Sequence, residues 1–494
     1  TVAEMRAMEA RAAEQGWSED RLLTHAGESL GHALAAFFPT PGTLIAYLGK
    51  GHNAGDAIVA MRVMAQAYGW QIAARAAWPP VDWAALTREK WLEEPLVSLL
   101  EEPPDWRGLR RPLVLMDGLL GIGATGALRE PLAGLVREMA WLREHAGCRV
   151  AAVDLPSGVD PDSGHVSAGA MTADVTFMIG AAKRGLLNAT AANATGALAV
   201  VPVAPLNPPP GGDLQLICPL TMTAGKAPRP FDFHKGMAGR VHLLAGSTAY
   251  SGAAVLAASG ALRGGAGLIV LHVPAAVAPA VAAKCPCEII VRICEHPLEL
   301  LENQPDALVI GPGLGPLSSA FADGLLELLD RTELPTVLDA DALNFLAQHN
   351  QLDHLKASHV ITPHPGEFRR LAPDLADLPR ETAARKFVAR HPATLLLKGC
   401  RSLITRNGEP LWCNATGSPA MATGGHGDVL AGVLGALLAA VTPAVPAAAL
   451  AAWLCGRAAE IALAGRSTSE SSLTPSDLLA CLGSAFNDWR ESSR

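Results

Sequence analysis

Short apolar runs alternate with longer stretches whose apolar positions return at helical spacing along most of this chain. The runs lie first at 44–48, 113–116, 150–153 and 175–179. A second series lies at 241–244, 268–273, 307–310, 336–338, 359–361 and 394–397. Each is of strand length, ends in or near Gly or Asp, and leads into an Ala/Leu-rich helical stretch. This alternation predicts mostly parallel sheets covered by helices on both faces. Ligands of such sheets bind beyond the carboxyl ends of the strands, so functional residues are expected just after each run. At the start, Met5, Met8, Ala12, Leu22 and Leu23 recur at helical spacing in an acidic, amphipathic segment. With no basic stretch leading into an apolar run, a signal peptide is not expected there. The uncharged stretch 429–455 is long enough to cross a membrane. Its alanines, the mid-stretch Pro443 and Pro446, and Asp428 at its head instead predict two buried helices joined by a turn.

Length and composition refine this picture. A chain of 494 residues exceeds what one core usually holds, and two domains are the simplest division. The sharpest break is VPVAPLNPPPGG at 201–212, whose prolines cannot continue a helix or a central strand. The expected division is a first domain at 1–207, a linker at 208–224 and a second domain at 225–494. Apolar residues make up 50% of the chain and charged ones 17%, which excludes a disordered chain. Thirty-nine basic residues against 47 acidic ones give a net charge of −8, arguing against nucleic acid or anionic membrane as partners. Nine scattered cysteines predict no disulfide framework and a cytoplasmic location. Cys285, Cys287, Cys294 and His296 lie close together, but the alternation through 287–291 reads as a strand and paired CxxC ligands are lacking. No zinc is expected there.

In the first half, three runs each deliver an oxygen-bearing side chain to one sheet edge. The run at 44–48 is followed by Gly49-Lys50-Gly51-His52-Asn53-Ala54-Gly55-Asp56, with a helix expected from about Ala57. The next strand leads into Asp117-Gly118-Leu119-Leu120-Gly121-Ile122-Gly123-Ala124-Thr125-Gly126-Ala127, and the third into Asp154-Leu155-Pro156-Ser157-Gly158. Glycine turns before a helix start suit an anion, and Asn53, Asp117 and Ser157 offer the oxygens a hard cation wants. Helix caps and turn residues use the same side chains. The series MRAME, LGKGHNAGD, DGLLGIGATG and VDLPSGVD resembles the NAD(P)H-hydrate epimerase domain, the YjeF N-terminal family. That resemblance implies a Rossmann-like three-layer fold and a K⁺ ion held by Asn53, Asp117 and Ser157. It implies hydrate contacts at His52, Asn53, Ala54, Gly55 and Asp56, at Gly121, Ile122, Gly123, Ala124, Thr125, Gly126 and Ala127, and at Asp154. Asp154 and Lys183, the latter in GAAKRGL, are the candidates for proton transfer at the nicotinamide ring. In place of the family's usual NNGGDG, this chain has His52, Ala54 and Ala57, which puts the freedom of that loop in question.

In the second half the informative segment is NATGSPAMATGGHGD, ending at Asp428 before a long apolar helix. Gly424, Gly425 and Gly427 can expose N–H groups to a migrating phosphate, and Asp428 can accept a proton from a hydroxyl poised beside it. A carboxylate at that position is also a common helix cap. GGxGD before a buried helix resembles the ribokinase-like superfamily and implies its three-layer fold. With FHKG, GSTAYSGA, GPGLG, DADALN and PHPGE in order from Phe231 onward, the second half resembles the ADP-dependent NAD(P)H-hydrate dehydratases. The resemblance implies hydrate contacts at Ala253, Gly315, His364 and Asp428. It places ADP or ATP, with Mg²⁺, at Lys398, Gly399, Cys400, Arg401, Ser402 and Gly427. The combined expectation is an isomerase–lyase that repairs hydrated NADH and NADPH (NADHX and NADPHX), acting as a homo-oligomer. The alternative is a ribokinase-like kinase for a small molecule such as a vitamin precursor, fused to a non-catalytic binding module.

Overall fold

The computed structural model describes every residue except 94–96, 125, 207, 209, 210, 466, 467 and 492–494. The chain forms two compact units, Thr1–Pro210 and Gly211–Arg494.

The first unit is built on seven strands: β1 (Thr43–Leu48), β2 (Gln71–Ala76), β3 (Ser98–Leu99), β4 (Leu113–Gly118), β5 (Arg149–Val153), β6 (Val175–Ile179) and β7 (Ala197–Val201). They lie in the order β3-β2-β1-β4-β5-β6-β7, and every pairing is parallel. The side-chain alternation of a strand explains the layers. Leu44, Ala46 and Leu48 pack in one core with the helices Val2–Glu14, Glu19–Phe37 and His52–Tyr68. Ile45 and Tyr47 pack on the opposite face with the helix Leu132–Ala146. The strand order reverses direction between β1 and β4, so the loops after these strands open a crevice. The apolar pattern does not reveal β2, whose QIAARA lacks a solid apolar run, or the two-residue β3.

The second sheet has ten strands: β8 (Leu214–Leu216), β9 (Arg240–Leu244), β10 (Leu268–Val273), β11 (Ile289–Ile293), β12 (Ala307–Ile310), β13 (Thr336–Leu338), β14 (His359–Ile361), β15 (Thr394–Leu397), β16 (Ser402–Thr405) and β17 (Leu411–Asn414). Their order is β11-β10-β9-β12-β13-β14-β15-β16-β17-β8, and among the described residues the pairing is antiparallel only at β15–β16 and β16–β17. One correction concerns the linker expected at 208–224. Residues 214–216 are the edge strand β8, paired with β17, and the Ile217 N–H reaches the Cys413 carbonyl at 2.9 Å. The LQL of β8 forms no solid apolar run, so pairing with a distant partner makes this strand.

The stretch 429–455 falls in two buried helices, His426–Ala439 and Ala444–Ala464, with Pro443 capping the second. By length and composition Ala444–Ala464 would suit a membrane, yet most of it is covered by its own unit. Small residues are needed here because backbones nearly touch. A methyl group at Gly432 would lie 1.9 Å from the Ala257 carbonyl oxygen of the neighbouring helix Ser251–Arg263.

Three histidines are enclosed in this sheet. His242 and His272 face each other across β9 and β10 with ring centroids 5.2 Å apart, and His359 lies in β14. His242 Nδ1 bonds the Leu300 carbonyl at 2.9 Å, but both nitrogens of His272 and Nε2 of His359 lack a partner among the described residues. Loss of water pushes the pKa of His272, and that of His359, from the usual 6.5 down to about 4. Between those two values the unfolded chain binds more protons, so stability is intact above about pH 6.5 and falls as pH drops toward 4. Denaturant titrations from pH 7 to 4.5 should show a loss of about 1.4 kcal/mol per pH unit for each such ring. His272→Phe should flatten this slope; an unchanged slope would contradict the assignment.

Candidate active sites

In the first unit the helix begins at His52, five residues earlier than the expected start near Ala57. Asn53, Ala54, Gly55 and Asp56 therefore occupy its opening turn rather than a free loop. Ala54 and Ala57 are fully buried, and Ala57 packs where a methyl group at Gly118 would be only 2.9 Å away. The two alanines thus serve helix–sheet packing. His52 is exposed, whereas Asn53 and Asp56 are half-buried.

Asn53, Asp117 and Ser157 meet around the backbone of Leu119 and Leu120. Asn53 Nδ2 donates to the Leu120 carbonyl at 2.8 Å, and the Leu120 N–H donates to Ser157 Oγ at 3.2 Å. Asp117 is wholly buried at the end of β4. It accepts the Ser157 N–H and hydroxyl, each at 2.7 Å, and the Leu119 N–H at 3.2 Å. Burial raises its pKa against these hydrogen bonds, and no basic side chain pairs with it among the described residues. The described partners of this buried carboxylate are thus neutral N–H and O–H donors, which hold it in place without cancelling its charge. The other predicted loop residues, Gly121, Ile122, Gly123, Ala124, Gly126 and Ala127, follow directly, with Gly121 within 3.3 Å of Asn53 if it carried a methyl group. Thr125 lies outside the described residues.

Asp154 follows β5 with φ +67°, a left-handed conformation uncommon outside glycine and tolerated best by Asp and Asn. Its N–H bonds Phe177 O at 2.9 Å, and its Oδ1 accepts the Ile179 N–H at 3.0 Å. Lys183, only 1% exposed, donates Nζ to Asp154 Oδ1 and, at 2.6 Å, to the Ile179 carbonyl. The two candidates for proton transfer are therefore one ion pair. Burial first, and the Asp154 charge second, hold Asp56 well above the usual carboxylate range. Glu9, absent from the residues expected at this site, is raised by the same two causes although much of the residue meets solvent. Glu9 closes the MRAME segment, but that segment alone gives it no role, and it reaches the site from the first helix.

In the second unit, Asp428 stands in the first turn of His426–Ala439, and the preceding Gly425 has φ +102°. Lys398, after β15, donates Nζ to Asp339 at 2.7 Å and lies 3.8 Å from Glu367. A methyl group at Gly427 would lie 3.4 Å from that ammonium, so the lysine stands at the helix start. Burial works against its charge, but Asp339 and Glu367 outweigh this and hold its pKa above the ordinary value. Desolvation, then Asp339, pushes Asp428 up to about 7, with Lys398 opposing them. A carboxylate with that pKa is suited to accept a proton near neutrality.

The remaining predicted residues frame this centre. The Gly315 N–H bonds Asp341 at 2.8 Å, and a methyl group at Gly313 would crowd Ala253 at 2.8 Å. His364 caps the helix Pro365–Leu371 with Nδ1 accepting the Gly366 N–H at 3.0 Å, while its side chain stays half exposed. Ser402 Oγ closes its turn on the Gly399 carbonyl at 3.0 Å, and Cys400 is exposed. Arg401 is buried and directs Nη1 to the Ala415 carbonyl at 3.3 Å. His426 is also buried, bonding Thr423 O at 3.1 Å. Asp339 and Glu367 lie inside the DADALN and PHPGE motifs, but the motifs alone give them no role. Ser247, in GSTAYSGA, is a further residue that only the fold singles out. Its buried Oγ lacks a partner among the described residues and lies 3.3 Å from the position of a methyl group on Gly315.

Two family profiles match the chain: YjeF-related protein N-terminus over residues 19–185, and NAD(P)H-hydrate dehydratase over residues 241–481. The bifunctional NAD(P)H-hydrate repair enzyme Nnr of Gloeobacter violaceus is 35% identical, the match covering 93% of this chain and 92% of that protein. The corresponding Nnr of Thermosynechococcus vestitus is 33% identical over 89% of this chain and 88% of its own. Among solved structures, a ribokinase-like superfamily protein from Enterococcus faecalis is 26% identical, covers 56% of this chain and 97% of its own, and has a TM-score of 0.50. Profiles in both halves and relatives matched along nearly their whole length lead to one assignment: the chain belongs to the family of bifunctional NAD(P)H-hydrate repair enzymes.

Proposed function

We propose that the first unit interconverts the R and S hydrates of NADH and NADPH, and that the second restores NAD(P)H from the S hydrate using ADP or ATP. The observation that carries the second half is Asp428, a carboxylate pushed up to about 7 beside Lys398 at a helix start. Hydroxide leaves poorly from C6 of the hydrated ring. Asp428 removes the proton of that hydroxyl as the hydroxyl oxygen attacks the terminal phosphorus of ADP or ATP, whose P–O bond breaks to release AMP or ADP. The C6–O bond then breaks with phosphate as leaving group. Loss of the C5 proton to water, with its electron pair forming the C5=C6 double bond, completes the dihydronicotinamide. Lys398 and the N–H groups at Gly425–Gly427 face the charge that develops on the phosphoryl oxygens. Mg²⁺ arriving with the nucleotide supplies further charge neutralisation.

In the first unit, Asp154 and Lys183 exchange a proton with the substrate at the ring, and their mutual contact keeps both in place. Asn53, Asp117 and Ser157 would hold K⁺, whose charge offsets the buried Asp117 and favours a polyanionic substrate. Nine cysteines without disulfide partners support a reducing, cytoplasmic setting.

The test is a mixture of R and S hydrates incubated with the protein and ADP or ATP, followed by the return of reduced-nicotinamide absorbance. Complete recovery in K⁺, with a stop at the S fraction when Na⁺ replaces it, is the expected result. Accumulation of a stable phosphorylated product would instead identify a kinase. Recovery limited to the S fraction in K⁺ would make the first unit non-catalytic.

A further inference from the structure

We propose that Arg380 is the positioning residue of the nucleotide subsite, its guanidinium acting as the mould around which the 397–401 turn is wrapped. The inference rests on the nucleotide reading above. Arg380 opens the helix Arg380–Arg390. Its Nη2 donates to the carbonyls of Leu397 and Lys398, both at 3.1 Å. Its Nη1 donates to those of Cys400 at 2.5 Å and Arg401 at 3.2 Å. One planar fork thus gathers four carbonyls from five consecutive residues, a geometry that lysine cannot reproduce.

The intervening residue is Gly399, at φ +140°, where a methyl group would lie 3.1 Å from Arg380 Nη2. The absence of a side chain lets the turn close on the guanidinium. Peptide planarity supplies the consequence. A carbonyl turned toward Arg380 directs the N–H of its own peptide group to the opposite side. The peptide of the Leu397 carbonyl donates its N–H, that of Lys398, to the Pro363 carbonyl. The peptide of the Lys398 carbonyl instead directs the Gly399 N–H away from the guanidinium, to the side where an anion would meet it. Among the described residues Arg380 makes no ion pair, and its charge is met by these four carbonyl oxygens.

Backbone and side chain of Lys398 are therefore placed separately. Arg380 holds its carbonyl, the Pro363 carbonyl accepts its N–H at 2.9 Å, and Asp339 draws its ammonium to the helix start. Arg380 itself touches neither Asp339 nor Asp428 among the described contacts. Removing the guanidinium should loosen nucleotide binding and leave the proton acceptor unaltered.

The test uses the full chain carrying Arg380→Lys or Arg380→Ala. Both should raise KM for ADP or ATP by about tenfold or more, equivalent to ~1.4 kcal/mol. KM for the S hydrate and the pH midpoint of kcat should stay at the wild-type values. Added guanidinium ion should lower the nucleotide KM of Arg380→Ala and leave that of Arg380→Lys unchanged. General loss of packing would move both KM values together and give no rescue, and that outcome overturns the proposal. Wild-type nucleotide affinity in a folded Arg380→Lys chain overturns it as well. Failure of the unaltered protein to bind ADP or ATP would overturn the nucleotide reading and this proposal with it.

Discussion

Asp428→Asn should lower dehydration of the S hydrate by about 10²–10⁴-fold, the range expected when a positioned proton acceptor is removed. The amide fills the same space but cannot accept the hydroxyl proton, so ADP or ATP should still bind. In the unaltered protein, kcat/KM should rise with pH through an acid limb centred near 7, because burial and Asp339 push the Asp428 pKa up to about that value. The variant's residual rate should lack that limb. A stability measurement separates chemistry from damage. A carboxyl whose pKa is raised in the folded state takes up protons on folding, so its ionisation costs stability as pH rises from about 4 to 7. Above pH 7 the Asn variant escapes this cost and should melt at a higher temperature than the wild type. Retained turnover would remove Asp428 from its role; lost turnover with a lowered melting temperature would mean a disrupted site.

Asp154→Asn should abolish R-to-S interconversion while the second unit continues to consume the S hydrate. Here the expected effect is twofold. Loss of a proton-transfer partner lowers the rate by about 10²–10⁴-fold. The substitution also leaves Lys183, only 1% exposed, without its carboxylate. Stranding one member of a buried ion pair costs about 3–5 kcal/mol. The single variant should therefore be both inactive and less stable. Combining Asp154→Asn with Lys183→Met removes the stranded charge and should recover much of the melting temperature without recovering epimerisation. If the double variant regains R-to-S interconversion, the pair has only a structural part. Chromatography of the two hydrates, alongside thermal melts, reads both quantities in one preparation.

The two centres are legible in the sequence to different depths. Asn53, Asp117 and Ser157 can be brought together from the order of residues alone, since each follows an apolar run and parallel strands end at a common edge. Asp428 is visible for a similar reason, because glycines and a carboxylate head an uncharged helix. Asp154 and Lys183 are separately visible, but not as a buried ion pair. The same holds for Asp339, Glu367 and Lys398, which lie in separate segments and meet only across the sheet. Arg380 has no signal at all. It stands in a helix of otherwise ordinary composition, and its four acceptors are backbone carbonyls, which no residue type announces.

Local order is written directly in the chain. Apolar runs determined ten of the strands, glycine and aspartate marked the turns after them, and prolines marked the break between units. These features depend on interactions over a few residues, so their period and position can be read along one dimension. The tertiary structure decided what depends on approach between distant segments. It made residues 214–216 a strand by giving them β17 as a partner, and it drew the helix start back to His52. It also decided that burial and Asp339 push the Asp428 pKa up to about 7, that Lys183 is enclosed, and that the Lys398 carbonyl turns to Arg380. Proton affinity and anion affinity are set by burial and by neighbouring charge, and both exist only once the chain has packed.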